Sequence, residues 1–337
     1  NKGIFIDRSS RSGINRVRYK GLGVVPGDVD NDGDMDIYVA NDKEMNLLFI
    51  NNGKGRFVEK ALAMGVGYNG DGLAEAGMGV DFGDYNRDGW LDIFVTHFTG
   101  ETNTLYENQG LGYFTDVSME TGLGKPSIPF LAFGTKFIDL NLDGWIDIFV
   151  ANGHVIDNIN LINKKYQHAQ HNQVYMNKKN STFEDKTYDI GGDLTQKAVS
   201  RGSAFGDIDN DGDIDYIVSN NNQSASLMYN VGDPSNNWIG IELEGVDCNR
   251  DAIGTKLTLI SKSGTQIAWI NPASSYLTSN DKRIVFGIEK DNKIVSLEIS
   301  WFGSNTQTLL NMEPNYYYKI IQNEVPKKIE YKFQQSF

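Results

Sequence analysis

Cysteine is almost missing from this chain. Cys248 is the only one in 337 residues, so no intrachain disulfide can form, and the thiol is expected to be buried and inert. Histidine is nearly as scarce: the four, His97, His154, His168 and His171, stand without cysteine neighbours, which removes a zinc site of the usual nitrogen and sulfur ligands. No apolar stretch approaches the ~20 residues of a membrane-spanning helix. There is no basic stripe with interleaved aromatics, which argues against nucleic acid as a partner. No nucleophile-elbow pattern and no phosphate-cradling glycine loop occurs, so hydrolase and nucleotide-binding readings have no starting point. His154, followed by Asp157, is the best acid/base candidate, and a loop histidine bonded within its own segment explains it more simply.

What the chain has in plenty is aspartate at fixed spacing. Asp28, Asp30, Asp32, Asp34 and Asp36 alternate around Gly33, and Asp207, Asp209, Asp211, Asp213 and Asp215 alternate around Gly212. Two further nonapeptides keep the frame, Asp84, Asn86, Asp88, Trp90 and Asp92 around Gly89, and Asp139, Asn141, Asp143, Trp145 and Asp147 around Gly144. Side-chain oxygens at loop positions 1, 3, 5 and 9 with a main-chain carbonyl at 7 suit a hard cation that takes six to eight oxygens. Glycine at position 6 allows the sharp turn, since it alone enters positive φ without steric cost. Without a cation, each close carboxylate pair repels by about 4 kcal/mol at an effective dielectric of ~20. No lysine sits in these nonapeptides and Arg87 is their one basic residue, so the counter-ion is expected from solution. About four calcium ions are expected, one per loop.

An EF-hand loop opens with the same ligand spacing but closes with a bidentate Glu at position 12. Here position 12 is Val39, Val95, Val150 and Val218, inside apolar runs rich in β-branched residues. Each loop therefore closes at position 9 and feeds a strand. The net charge of −13 follows from the same loops. They hold sixteen of the 44 acidic residues, and the 28 outside them face 31 Lys and Arg, so the rest of the molecule is slightly basic.

The loops begin at residues 28, 84, 139 and 207, a period that belongs to propellers and repeat arrays. After each loop and strand comes a second strand and an Asn/Gly turn, as in Asn46–Gly53, Asn103–Gly110 and Gln173–Asn177, and then a short Phe-containing strand. Four strands per unit and no helical period describe a propeller blade. The strand after each loop lacks alternation, as expected when both faces are covered by neighbouring blades. Trp90, Trp145, Phe49, Tyr106 and Tyr175 are read as inter-blade core. The chain opens with Ile4–Asp7, which matches the last strand of a unit; it either closes the fourth blade or is what remains of an earlier one. A start within a unit and without Met favours a processed or truncated end. Residues 156–170 form a polar insertion, read as an exposed loop.

With Phe82-Gly83-Asp84, Phe205-Gly206-Asp207 and the Asp-Ile-x-Val strands in view, the chain resembles the FG-GAP/VCBS calcium-loop propeller repeats. Arg201–Asp215, Asn152-Gly153-His154, Asn249–Leu257, Ser275–Asp281, Phe286-Gly287 and Leu297–Trp301 further resemble the family whose repeats precede an ASPIC/UnbV domain. The resemblance implies an all-β fold and an extracellular protein. It also implies a propeller of about seven blades, of which this chain carries four repeats. We divide the chain into repeats at 1–235, an ASPIC/UnbV-like domain at 236–322 and a tail at 323–337. In the second part, short strands between Gly, Asn and Asp turns point to a small β-sandwich, and Asn249-Arg250-Asp251 reads as a turn with an internal ion pair.

The function expected from these observations is non-enzymatic, calcium-stabilised adhesion, protein interaction or extracellular assembly. The alternatives are a carbohydrate-binding or lyase-like propeller and a subunit of an extracellular fibre or surface layer. The expected partner is an extracellular protein, a glycan or another copy of the chain. Asn180 and Asn222 fit the glycosylation pattern, a short motif that carries little weight.

Overall fold

The computed structural model describes residues 3–15, 17–232, 235–329 and 331. Its repeats form blade sheets of antiparallel strands, each strand next to its sequence neighbour. The first blade is β1 (Gly21–Gly27), β2 (Asp36–Asn41), β3 (Leu47–Asn51) and β4 (Phe57–Glu59). The second is β5 (Val80–Gly83), β6 (Asp92–Val95), β7 (Thr104–Asn108) and β8 (Phe114–Asp116), and the third β9 (Ala132–Ile138), β10 (Asp147–Asn152), β11 (Gln173–Asn177) and β12 (Phe183–Asp185). The fourth has three strands, β13 (Ser200–Gly206), β14 (Asp215–Asn220) and β15 (Ser226–Met228). The first strands β1, β5, β9 and β13 touch in succession, so they line the inner edge of the array, and each aspartate loop is the turn from a first strand to a second.

Burial along the second strands follows from position in the array. Those of the middle blades, β6 and β10, are buried at every residue, as strands covered on both faces must be. In the end blades, β2 alternates between buried and half-buried, and Ile217 of β14 is 43% exposed. Three cores lie between blades, around Tyr38 and Tyr106, around Phe94 and Tyr175, and around Phe149 and Tyr216. Tyr106 and Tyr175 are core, as expected. Trp90 and Trp145 are not: both are half-buried on the metal loops, with the Trp90 ring against Gly110 and Trp145 beneath the Arg87 guanidinium. Ile4–Asp7 pairs with no sheet, and Ile4, Phe5 and Ile6 are exposed.

An asparagine staple joins the blades. Asn108, Asn177 and Asn230, in the third strand of a blade or just beyond it, each donate Nδ2 to the position-2 carbonyl of the preceding blade's loop, Val29, Tyr85 and Leu140, at 2.9, 3.0 and 2.8 Å. Their backbone N–H groups donate to the position-9 aspartate of their own blade, Asp92, Asp147 and Asp215. These side chains read as turn residues in the sequence, and only the assembled array shows that they cross between blades.

The remaining strands pack as two sheets around one core that includes Leu257, Leu259, Ile299 and Trp301. They are β16 (Trp238–Glu244), β17 (Lys256–Ser261), β18 (Gly264–Trp269), β19 (Ile284–Gly287), β20 (Ile294–Ser300), β21 (Thr306–Leu310), β22 (Tyr317–Ile321) and β23 (Lys327–Ile329). The orders are β19-β16-β22-β23 and β18-β17-β20-β21, with β16 and β22 parallel. Strand β21 has no counterpart in the sequence reading, and β23 falls inside the segment read as a tail. Asn249-Arg250-Asp251 has no internal ion pair; Asp251 meets Lys282 at 2.6 Å and Arg250 approaches Glu244 at 3.9 Å. Cys248 is half-buried, more open than expected.

The β18–β19 connection runs along the inner edge of the repeats like an axle. Asn271 donates to the Pro26 carbonyl, Ser275 exchanges backbone hydrogen bonds with Val80, Thr135 N–H donates to Ser275 Oγ, and Phe205 N–H donates to Asn280 Oδ1. One segment of the sandwich thus touches the first strand of all four blades.

The staple is directly testable. Asn177→Ala leaves two carbonyls, that of buried Tyr85 and that of half-buried Ile146, without their shared donor, and loss of the buried bond costs about 1–3 kcal/mol. Asn51, in the first blade, donates Nδ2 to Met35 alone. Thermal unfolding of the two alanine variants should therefore show the larger drop for Asn177→Ala; equal drops would remove the inter-blade role.

Candidate metal centres

The four loops share one hydrogen-bond frame. The position-1 carboxylates of Asp28, Asp84, Asp139 and Asp207 accept through Oδ1 from the position-5 N–H and through Oδ2 from the glycine N–H, at 2.8–3.2 Å. Position 5, Asp32, Asp88, Asp143 and Asp211, accepts from the N–H of position 7, which is Asp34, Trp90, Trp145 or Asp213. Position 9, Asp36, Asp92, Asp147 and Asp215, accepts from the N–H of position 2. The glycine φ angles are 90°, 91°, 82° and 101°. Position 4 also lies at positive φ in every loop, at Asn31, Arg87, Leu142 and Asn210, a strain the sequence did not reveal because two of these residues are unusual there.

These contacts hold the loop in shape and leave oxygen atoms to spare, since a carboxylate has about four lone-pair sites. Buried oxygens without any hydrogen-bond partner remain at Asp30 Oδ1, Asp209 Oδ1 and Asp213 Oδ1. Carboxylate oxygens of Asp28, Asp30 and Asp32 come within 4.8 Å of one another, as do those of Asp207, Asp209 and Asp215. Oxygen-only donors crowded in this way fit a hard divalent ion. The two Asn-containing loops differ. Asn86 and Asn141 donate Nδ2 to Asp88 and Asp143, replacing part of the carboxylate repulsion with a hydrogen bond. The third loop also has a cation beside it, contrary to expectation: Lys179 Nζ lies 3.5 Å from Asp143 Oδ2.

Electrostatics show the cost of the ring. Burial first, and then the neighbouring carboxylates, raise Asp36 and Asp139 to about 7 and Asp84 and Asp215 to about 6. Burial and the adjacent Asp211 drive Asp213 upward as well. Backbone N–H donors pull Asp36, Asp84, Asp139 and Asp215 down without reversing the shift. At neutral pH the loops are therefore poised to exchange protons for a cation.

The histidines do not form a second centre. His154 Nδ1 accepts from Ile156 N–H at 3.0 Å, and burial holds its imidazole below the ordinary value. His97 replaces the asparagine of the other blades; its backbone N–H donates to Asn103 Oδ1 and its Nε2 is 3.7 Å from Glu75.

A carboxyl whose pKa is higher folded than unfolded binds its proton more tightly in the folded state, so stability falls as pH rises between the two values. For Asp36, Asp84, Asp139 and Asp215 that window runs from about 4, the ordinary carboxylate value, up to about 6 or 7. In chelator, the melting temperature should be higher at pH 5 than at pH 7.5, and saturating calcium should abolish or invert the slope. A chelated protein that is more stable at pH 7.5 would contradict this electrostatic account.

Comparison with known proteins agrees with the fold and the repeats. The FG-GAP-like repeat family matches residues 28–95, 84–150 and 139–218, and the ASPIC and UnbV family matches 245–327. Cartilage acidic protein 1 of Xenopus tropicalis is 27% identical over 292 residues, which is 83% of this chain and 41% of that protein. The Homo sapiens protein is 27% identical over 304 residues, 88% of this chain and 42% of that one. The chain thus spans about two-fifths of the length of these relatives. Among solved structures, an Agrocybe aegerita lectin that recognises non-reducing terminal N-acetylglucosamine aligns at 15% identity and a TM-score of 0.31, covering 87% of this chain and 81% of its own. A Bacillus licheniformis rhamnogalacturonan lyase aligns at 12% identity and 0.31, covering 87% and 64%; at such scores neither bears on function. With three overlapping repeat matches across residues 28–218 and a distinct match behind them, the chain belongs to the FG-GAP-like repeat family and carries a C-terminal ASPIC/UnbV domain.

Proposed function

We propose that this chain is an extracellular, non-catalytic repeat protein whose loops bind about four calcium ions and whose surface serves adhesion or assembly. The observation that carries the reading is the set of buried aspartate oxygens, Asp30 Oδ1, Asp209 Oδ1 and Asp213 Oδ1, that no protein donor reaches. Leaving such groups unpaired is costly, and a divalent ion is the partner their geometry accepts. Position 7 adds a main-chain carbonyl, and the carboxylate-rich set favours calcium over the smaller magnesium, which prefers to keep its waters. Calcium sites of modest affinity fill where the ion is abundant, outside cells, and the name of the curated relatives accords with an extracellular setting. The partner in this reading is an extracellular protein or a glycan, or a second copy of the chain.

Catalysis would need a base near a nucleophile or an acid. The loop aspartates are committed to the frame, His154 Nδ1 accepts from Ile156 N–H, and the fully buried His97 ring lies 3.7 Å from Glu75 with no access to solvent. Turnover of an acidic polysaccharide would overturn the non-catalytic reading.

Calcium titration followed by calorimetry and an ion count should find about four sites. Asp32→Ala should remove one ion and leave the others, because Asp32 belongs to one carboxylate cluster only. Excess chelator should lower the melting temperature of the intact protein. Unfolding that is identical with and without chelator, and an ion count of zero, would overturn the calcium reading.

A further inference from the structure

The fourth loop differs from the other three in what covers it. Asp207 Oδ2 accepts the glycine N–H, as in every loop, and also the hydroxyl of Tyr317, at 2.5 Å. Tyr317 belongs to β22 of the sandwich and is 110 residues away in sequence. No corresponding hydroxyl reaches Asp28, Asp84 or Asp139 among the described residues.

The sandwich holds that hydroxyl firmly. Tyr317 is 2% exposed. Its ring lies flat on Gly240, its partner across the parallel β16–β22 pair, where a Cβ would come within 2.2 Å of the ring. Trp238 packs against it at 5.1 Å between centroids, and Trp238 in turn lies on Gly212, the glycine of the fourth loop. The Arg283 guanidinium stacks 4.9 Å from the Tyr317 ring. It also donates to the Asp207 carbonyl and to Asn210 Oδ1, both at 2.6 Å, while its Nε pairs with Asp281 at 2.7 Å. Three sandwich side chains, Tyr317, Trp238 and Arg283, thus converge on positions 1, 4 and 6 of one metal loop.

We propose that the fourth ion site is built by both domains, with Tyr317 and Arg283 as positioning residues that hold Asp207 for the ion. Two donors on Oδ2 fill that oxygen. Oδ1 accepts one backbone N–H at 3.2 Å and keeps a lone pair, so the carboxylate is oriented to offer that atom. Partners that orient a ligand in this way commonly contribute 10–100-fold in metal affinity. Linkage makes the effect mutual: if docking of the sandwich strengthens ion binding, the ion strengthens docking by the same factor. The other loops meet the sandwich chiefly at position 4. The third is met also at position 3, where Asn236 donates to the Asn141 carbonyl, and beside Asp139 and Gly144, where Gly287 lies. Among the described residues none of these contacts is a hydrogen bond to a position-1 side chain. Lys256 donates to Asn31 Oδ1, Arg87 to the Ser263 carbonyl, and Glu289 N–H to the Leu142 carbonyl. The fourth loop is therefore where coupling should be strongest.

This inference rests on the calcium reading, and one experiment separates the two. Calcium is titrated calorimetrically into the intact wild-type chain, into Tyr317→Phe, which keeps the packed ring and loses only the hydroxyl, and into the control Tyr318→Phe. Tyr318 bonds to Glu313 away from the loops. The expected result is one site weakened about 10–100-fold in Tyr317→Phe, with the remaining sites and the control unchanged. Absence of calcium binding in the wild type would overturn the calcium reading itself. Wild-type binding with Tyr317→Phe indistinguishable from it, or with all sites weakened alike, would overturn the two-domain site alone. Hydrogen exchange on the wild type gives a check that no variant can confuse. Chelation should speed exchange in β19 and β22 more than in β20 and β21, and uniform or absent change counts against the proposal.

Discussion

Like charges held at contact distance are the constraint from which this molecule is built. Each blade turns from its first to its second strand through a ring of aspartates, and the turn is tight because those same carboxylates accept the loop's own N–H groups. The arrangement fixes the backbone well and the charge poorly. At positions 1 and 9 the side chains serve as internal caps and are buried, and burial raises the free energy of their ionised form. The fold therefore carries a standing electrostatic deficit at each loop. A dissolved cation can remove it, and to a smaller extent so can protons or a neighbouring lysine such as Lys179.

That deficit is transmitted beyond the loop because the loop is also the joint between blades. The position-9 aspartate receives the N–H of an asparagine whose side chain bonds the loop of the preceding blade. A change in the charge of Asp92, Asp147 or Asp215 thus acts at one remove on the neighbouring repeat. The sandwich adds a second route. It grips the loops at position 4 from outside and sends the β18–β19 segment along the inner strands, so two separate surfaces tie it to the same four repeats.

The loops and the blade pattern were legible in the sequence because they depend on local spacing. Asp at 1, 5 and 9, Gly at 6 and an apolar run are features a nine-residue window contains. The middle blades could be read as covered on both faces for the same reason, since Asp147-Ile148-Phe149-Val150 has no polar side to expose. Other features were invisible because they are relations between distant residues. Asn177 looks like a turn residue until Tyr85 is placed beside it. Trp90 and Trp145 look like core by composition, yet they occupy position 7, where the loop needs the backbone carbonyl and leaves the side chain at the rim. Tyr317 is an ordinary strand tyrosine until the parallel pairing of β16 and β22 sets it on Gly240 and aims it at Asp207. Lys179 beside Asp143 was missed because it arrives from another turn of the same blade, between β11 and β12.

The differences among the four loops carry the last step. The first and fourth have five aspartates and orphaned oxygens, and among the described residues no lysine lies within a salt-bridge distance of them. The second and third substitute asparagine at position 3, and the third adds Lys179. More negative charge at a fixed oxygen count increases both the attraction for a divalent ion and the repulsion without it. On the calcium reading, the outer repeats of this array depend most on the ion, and the inner ones are better able to hold their shape alone. Among the described residues the fourth loop has a packed neighbouring blade on one side only, and it is the loop on which the sandwich places Trp238, Arg283 and Tyr317. A loop of five aspartates thus receives support from three sandwich side chains, one of which, Arg283, supplies part of the counter-charge to Asp207.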